Sequence, residues 1–366
     1  MPFLGGTLAR YFGLRFLTTV LLVFLGIFLL VALLDYIEMM RRASDVPGVS
    51  PVIVAKISFF RVPQIIERIM PFCILIGAMS CYLDLSRRLE LVVARAAGVS
   101  AWQFIMPAVV VAFLIGVVAT TVYNPLSATL REISKRYETQ LFGANMDNVI
   151  GGGGGSFWLK QNSDQGDAIL NARASREQGV HLDGVSLFSF DRNGHFSGRV
   201  EARSAELRPG VWVLQDTRIY SLGAAPVNQP EYRLKTSLTP EQVRESFATP
   251  ETVPFWELPA YIKIAEHAGL IAAGYNLQFQ KLIARPFMLA AMVFLAAAVS
   301  LRFFRFGGVQ KMVLSGVASG FLLYVLSKMT EDLSKAELMH PFTAAWLPVF
   351  VGGLTGFVAL LYQEDG

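Results

Sequence analysis

Charge is scarce in this chain. Of its 366 residues only 16% are Asp, Glu, Lys or Arg, against ~25% in an average soluble domain. The shortage is uneven. Residues 131–267 hold 15 basic and 17 acidic side chains in 137 positions, an ordinary density for a domain in water. The other 229 positions hold 17 and 11 and include long uncharged runs. With 53% hydrophobic residues and a mean hydropathy of +0.46, this distribution excludes an all-soluble enzyme, a disordered chain and a coiled coil. Cysteine is equally sparse. Cys73 and Cys81 lie eight positions apart in one apolar stretch, ~12 Å of helical rise and too far for a disulfide.

Chemistry-bearing motifs are missing too. The four histidines, His181, His195, His267 and His340, stand apart from one another and from both cysteines, so the sequence offers no metal-ligand spacing. There is no G-x-S-x-G elbow. Gly151–Gly155 precedes Ser156 without the Lys-Ser or Lys-Thr of a phosphate loop, so it reads as a flexible connector. A chain of this kind has no recognised means of hydrolysing ATP, and energy for any work must come from a partner. Nucleic acid is a poor ligand as well. The charged segment is net −2, and the basic excess of +6 lies beside the apolar runs, where Lys and Arg meet lipid headgroups.

What the chain has in abundance is long apolar segments. Phe16–Leu34, about Ile69–Leu85, one span within Ala96–Leu130, Phe287–Leu301, Met312–Ser327 and Pro341–Tyr362 each approach the ~20 residues needed to cross a bilayer. Asp35-Tyr36-Ile37-Glu38 follows the first run where a leader would have a small-residue cleavage site, so this run is a permanent span. Pro71 is expected near the start of the second span. The fourth is expected to begin early and carry Lys281 and Arg285 at its headgroup end, where long basic side chains snorkel. Gly316-x-x-x-Gly320 and Gly352-x-x-x-Gly356 suit close helix packing. Six spans put both termini on one side. With termini inside, eight basic residues fall on inner segments and seven on outer ones, so charge alone hardly orients the chain. The denser inner segments favour termini inside.

Between about Glu138 and Glu257 the periodicity becomes strand-like, through Gly184–Asp191, Phe196–Leu207, Val211–Tyr220 and Tyr232–Leu238. Asp191-Arg192-Asn193-Gly194 and Arg208-Pro209-Gly210 supply tight turns. The expected fold class is therefore a membrane α-helical protein with six transmembrane helices (3+3) and an inserted antiparallel β domain of jelly-roll-like type. Residues 1–137 hold the first three spans, 138–260 the β domain and 261–366 the last three spans.

Two charged clusters stand out against this background. Residues 84–98 read as a short amphipathic helix closed by Gly98, with Leu85, Leu89, Val92 and Val93 on an apolar face and Arg88, Glu90 and Arg95 polar. Such a helix either lies at the headgroups or docks in a groove of a cytoplasmic motor. Beyond the first span, Glu38 stands three and four residues before Arg41 and Arg42, the spacing of a helix-surface salt bridge.

The stretch Glu90-Leu91-Val92-Val93-Ala94-Arg95-Ala96-Ala97-Gly98, with the 3+3 spans and the central β domain, resembles the LptF/LptG family of lipopolysaccharide export permeases over essentially the whole chain. Gln280 to Lys335, including Ser319–Val325, is more similar to the LptG branch than to LptF. The resemblance implies one permease subunit of an ABC-type exporter, non-hydrolytic itself. It implies pairing with an LptF-like permease above an LptB-like ATPase dimer that binds ATP and Mg. This chain itself would hold no cofactor and no metal. The complex would extract lipopolysaccharide from the inner membrane and pass it to an LptC-like bridge and then LptA. The protein would be a multi-pass inner-membrane protein with cytoplasmic termini and a periplasmic β domain. Glu90 falls at the acidic position that meets the ATPase, where a carboxylate bonds an arginine of the motor, flanked by Arg88 and Arg95. Arg41 and Arg42 match a basic pair at the outer end of the first helix, suited to bidentate phosphate contact; Lys135, Arg136, Lys281 and Arg285 are weaker candidates for the cargo. Asp35-Tyr36 departs from members with a further basic residue one turn earlier. The alternatives are the sister permease LptF and a membrane-tethered periplasmic scaffold, which would have no need for Glu90.

Overall fold

The computed structural model describes residues 6–44, 50–149, 157–163, 166–176, 180–190, 196–221, 225–236, 250–267, 272–306 and 308–365. Helices come first: α1 (Gly6–Ala43), α2 (Pro51–Arg87), α3 (Glu90–Ala96) and α4 (Ala101–Val118), which continues through a π turn at Ala119–Tyr123 into α5 (Asn124–Val149). Among the described residues six strands follow, then α6 (Leu258–His267), α7 (Ala273–Phe306), α8 (Val309–Lys335) and α9 (Pro341–Asp365). Among the described residues six helices are long and apolar enough to cross a membrane: α1, α2, Ala101–Lys135, Ala273–Leu301, α8 and Pro341–Gln363. Three precede the sheet in the chain and three follow it, as expected. The chain divides into two compact units, Met1–Phe142 with Glu251–Trp256 and Ala273–Gly366, and Gly143–Pro250 with Glu257–Ala272.

The helices outrun the apolar segments that announced them. α1 has 38 residues, ~57 Å of rise against a hydrocarbon core of ~30 Å. Leu, Met, Glu and Arg are good helix formers whatever their polarity, so the helix continues past the last apolar residue. The expected start of the second span near Pro71 is corrected: α2 begins at Pro51 and holds both Pro63 and Pro71 inside its 37 residues.

At three other prolines, neighbours serve the carbonyls left without a helical donor. A proline at position i has no N–H for the carbonyl at i−4. Pro286 leaves Leu282 O bare, and Thr120 Oγ1 of the π turn donates to it at 2.9 Å. Pro348 does the same to Ala344 O, which receives Thr330 Oγ1 at 2.9 Å. Pro125 strands Thr121 O, which accepts from Trp256 Nε1 at 3.1 Å. Each donor sits on a different element from the carbonyl it serves, so these bonds also hold the elements together.

Glycines permit the closest approaches. Gly316 and Gly320 of α8 face Met79 and Leu75 of α2, and Gly352 of α9 faces Leu323 of α8. A methyl group on Gly356 would stand 2.8 Å from the backbone nitrogen of Leu295 in α7. Both small-residue motifs therefore pack helix on helix, as the sequence suggested. Around them lies the main apolar core, which includes Phe16, Ile74, Phe104, Leu289 and Met292. Cys73 and Cys81 are buried and free.

A polar node interrupts this core. Glu67 of α2, 5% exposed, accepts from Asn124 Nδ2 at 2.7 Å, from Ser127 Oγ and from Arg285 Nη1. It joins α2, α5 and α7, so the first and second groups of spans are linked by an ion pair inside the apolar unit. Arg285 was expected to snorkel. It turns inward instead because a buried carboxylate needs a charge partner more than the guanidinium needs water.

The second unit is built on one antiparallel sheet whose strands are ordered as in the sequence: β1 Phe157–Ser163, β2 Gly166–Arg176, β3 His181–Phe190, β4 Phe196–Arg208, β5 Val211–Ser221 and β6 Val227–Lys235. β1 and β2 carry a weak apolar signal and were not anticipated. Pro209-Gly210 makes the β4–β5 turn, with Arg208 paired to Val211 and Gly210 at φ 76, as a type II turn requires. Leu170, Leu182, Leu187, Trp212 and Leu214 form the core of this unit. Gly184 (φ 62) and Asp216 (φ 52) are each left unpaired in the ladder, with the register unchanged on either side, and burial steps by three there, from Leu182 to Val185 and from Leu214 to Thr217. The connector Gly151–Gly155, the turn Asp191–Gly194 and His195 lie outside the described residues.

Candidate functional site

At one end of the first unit, α2 stops where Arg88 N donates to Asp84 O at 3.0 Å. Leu89 then adopts a left-handed conformation, φ 60 and ψ 10, which costs an L-residue about 1–2 kcal/mol. The strain turns the chain sharply and starts α3 at Glu90. The expected single helix over residues 84–98 is thus corrected. Residues 84–87 end α2, and the separate piece is the seven residues Glu90–Ala96, followed by Gly98 at φ 82. The expected apolar face changes with it. Leu85 and Leu91 are buried, at 1% and 2%, whereas Leu89, Val92 and Val93 are 59%, 41% and 66% exposed. α3 therefore anchors through Leu91 and presents Leu89, Val92 and Val93 outward.

Two side chains of α1 hold this end in place. Tyr11 Oη donates to Glu90 Oε2 at 2.9 Å. Arg15 pairs with Asp84 at 2.6 Å, and Asp84 also receives Arg88 at 3.1 Å. The first helix thus grips both sides of the Leu89 turn. Arg95 is engaged by neighbours as well. Tyr11 and Arg15 had no signal in the sequence, since Tyr11 is separated from Glu90 by 79 positions.

At the opposite end of α1, both arginines converge on Glu38. Arg41 Nη2 and Nε donate to its two oxygens at 2.9 Å, and Arg42 Nε donates at 2.8 Å. The Arg41 and Arg42 side chains remain 73% and 57% exposed, so the group offers a net positive charge to solvent. Asp35 does not belong to it. It is buried beside Ser58 Oγ, at 2.7 Å, and Arg61 Nε, at 2.9 Å, fastening α1 to α2. The acid that broke the all-basic pattern is a buried packing group bonded to α2.

The other basic candidates do not form one cluster with Arg41 and Arg42. Lys281 and Arg285 line a cavity of about 380 Å³ between α2, α7, α8 and α9. Lys281 pairs with Glu331 at 2.7 Å and Arg285 with Glu67. Lys135, near the end of the third span, is engaged by neighbours, and the side chain of Arg136 lies outside the described residues. The same cavity is lined by Arg68, Lys328 and Lys335, which sequence reading passed over as loop charges. The i,i+4 spacings Lys328–Asp332 and Glu331–Lys335 were visible, but only the fold sets them over an apolar pocket.

The sequence profile of one family, the lipopolysaccharide export system permeases LptF/LptG, matches residues 10–362. The chain belongs to the LptF/LptG permease family. It is 22% identical over 360 residues to the lipopolysaccharide export system permease protein LptG of Escherichia coli K12, covering 94% of each chain. The protein of that name from Haemophilus influenzae is 23% identical over 357 residues, covering 93% of this chain and 94% of the relative. Membership in the LptF/LptG family makes the chain a multi-pass inner-membrane protein of a transport system, and its six spans and inserted antiparallel sheet match that architecture.

Proposed function

We propose that this chain is the LptG-type permease of a lipopolysaccharide exporter, working beside an LptF-like permease and driven by an LptB-like ATPase dimer that binds ATP and Mg. Its cargo passes to an LptC-like protein and onward to LptA. In this reading the termini and α3 face the cytoplasm, and the sheet faces the periplasm. The observation that carries it is α3. A seven-residue helix set off by a strained turn exposes three apolar side chains beside a carboxylate held in position by Tyr11. That is an unpartnered docking element. A membrane tether has no need for Glu90 at this place, and the exposed Leu89, Val92 and Val93 beside it suit an apolar groove of a partner. The LptG names of the relatives support the choice of branch.

At the other end, the exposed Arg41 and Arg42 forks meet the phosphates of lipopolysaccharide, exchanging part of their bonding to Glu38 for charge-assisted bonds to phosphate oxygens. The deciding test is co-purification of the full-length chain from its native membranes. A second six-span protein and a soluble ATPase are expected with it. In the reconstituted complex, Glu90→Ala is expected to leave assembly intact and to cut lipid release per ATP hydrolysed by an order of magnitude. Full coupling in that variant sinks the assignment of α3.

A further inference from the structure

The third span carries a π turn, and two passages of the chain converge on it. From Ala119 to Tyr123 the helix widens by one residue, so that Asn124 N reaches back to Ala119 O. A widened turn leaves its carbonyls poorly aligned and open to outside donors. Its residues are taken up by three different elements. Thr120 serves α7 at Leu282 O, Tyr123 Oη donates to Pro63 O of α2 at 3.0 Å, and Thr121 O receives the indole N–H of Trp256. One turn earlier, Gly116 stands so close to Pro286 of α7 that even a methyl group would collide. Trp256 ends the segment Glu251–Trp256, on which the chain first comes back to the first unit after the sheet. This segment is fastened along its length. Gln64 Nε2 donates to Glu251 O at 3.0 Å, Val253 is buried, and the Phe255 ring stacks on Phe279 of α7 at 5.6 Å. The way out runs through the same place, because α5, which leads toward the sheet, starts at Asn124.

Asn124 joins the two passages. It is buried, its Nδ2 donates to Glu67 at 2.7 Å, and its Oδ1 accepts from Phe255 N at 3.0 Å. A carboxylate only accepts and a backbone N–H only donates, so a planar amide with one end of each kind fits between them. Aspartate would offer acceptors alone, and leucine would make neither bond. The same carboxylate holds Arg285 of α7. A line of bonds therefore runs from α7 through Glu67 and Asn124 to Phe255, the neighbour of Trp256. Because the amide is rigid and enclosed, a displacement of Glu67 is passed on to Phe255 instead of being absorbed. We propose that the π turn and Glu251–Trp256 form a joint through which the spans position the sheet unit, with Asn124 and Trp256 as its positioning residues. The joint does not depend on what the protein carries. Only its service in transport, the sheet unit following the spans through a cycle, rests on the reading above.

Two measurements on the full-length chain with its co-purifying partners, in nanodiscs, test the joint. The first is amide hydrogen exchange over residues 250–257. Glu67→Met with Arg285→Met removes both charges together, so neither is left unpaired and the melting temperature is expected to stay near that of the unaltered protein. Exchange over 250–257 is nevertheless expected to quicken about tenfold, the scale of one hydrogen bond, because Asn124 loses the carboxylate that orients it. In an Asn124→Ala background the same double change is expected to add nothing, since the line is already cut. The second measurement is the distance between spin labels attached at Arg203→Cys in β4 and Leu338→Cys after α8, both well exposed. Cys73 and Cys81 are buried. Trp256→Phe keeps an aromatic ring and deletes the N–H at a position 65% exposed, so this arm holds even if the buried changes fold poorly. It is expected to widen the distance distribution about twofold, as local opening at the joint becomes easier. With an ATPase present, ATP is expected to shift the distance in the unaltered protein and severalfold less in Trp256→Phe. Exchange over 250–257 that merely follows the melting temperature, or a distance distribution indifferent to Trp256→Phe, overturns the proposal; so does an equal response to ATP in both proteins. Failure of the transport reading registers separately, as the absence of an ATPase and a second permease in the purified material, which neither the exchange nor the distribution width requires.

Discussion

At the scale of single residues, the pairs nominated from spacing acquire different meanings once their partners are visible. Glu38 and its two arginines form the helix-surface pairing that spacing implied, yet they leave most of both guanidinium groups in water. Arg41→Glu together with Arg42→Glu is therefore expected to reduce photo-crosslinking of lipopolysaccharide to α1 at least severalfold while leaving the melting temperature within a degree or two. Unchanged crosslinking would remove the pair from the cargo path. Glu90 is held by the Tyr11 hydroxyl, so Tyr11→Phe is expected to weaken coupling in the same direction as Glu90→Ala but less severely. The measurement is the ratio of lipid released to ATP hydrolysed in proteoliposomes. A ratio equal to that of the unaltered protein would mean that Tyr11 plays no positioning part.

At the scale of elements, the prolines show how a membrane helix keeps a break in its bonding. Thr330 serves the carbonyl that Pro348 strands on the neighbouring helix. Thr330→Val keeps the volume and deletes the donor, leaving a buried acceptor bare. It is expected to destabilise the protein by about 1 kcal/mol, between the usual membrane hydrogen bond and the penalty for an unpaired buried group, read as a lowered midpoint of thermal unfolding in detergent. Gly356→Leu is expected to do more harm, since its side chain would run into the α7 backbone at Leu295 and Phe294. Poor accumulation in the membrane is the readout. The element boundaries were the least legible part of the fold. Apolar runs located the spans, but α1 and α2 extend well past them, because helical continuity depends on backbone bonding and propensity while hydropathy reports only the solvent. The break at Leu89 had no signal either. Nothing about leucine favours a positive φ, and the turn exists because Leu91 is drawn into the core on one side and Leu85 on the other.

For the molecule as a whole, the node at Glu67 couples the two groups of spans that the sheet separates in the sequence. Arg285→Met would leave Glu67 buried with only Asn124 and Ser127 as neutral partners, and losing one member of a buried pair costs about 3–5 kcal/mol. The double variant Glu67→Met with Arg285→Met is expected to recover most of that loss. Comparing the thermal unfolding of single and double variants tests it: a double variant as unstable as the single one would show that the node does more than neutralise charge.

Composition and the spacing of apolar runs were enough to establish six spans, an inserted sheet and a short polar stretch after the second span. These depend on local quantities, namely the length of chain that lipid will accept and the side-chain periods of helix and strand, so they are written along the sequence. The inward turn of Asp35 and Arg285, the grip of Tyr11 and Arg15 on α3, and the line from Glu67 through Asn124 to Phe255 depend on residues tens to hundreds of positions apart. Their partners are chosen by burial, since a charge inside an apolar bundle must find whichever opposite charge packing brings within reach, and no local pattern carries that information.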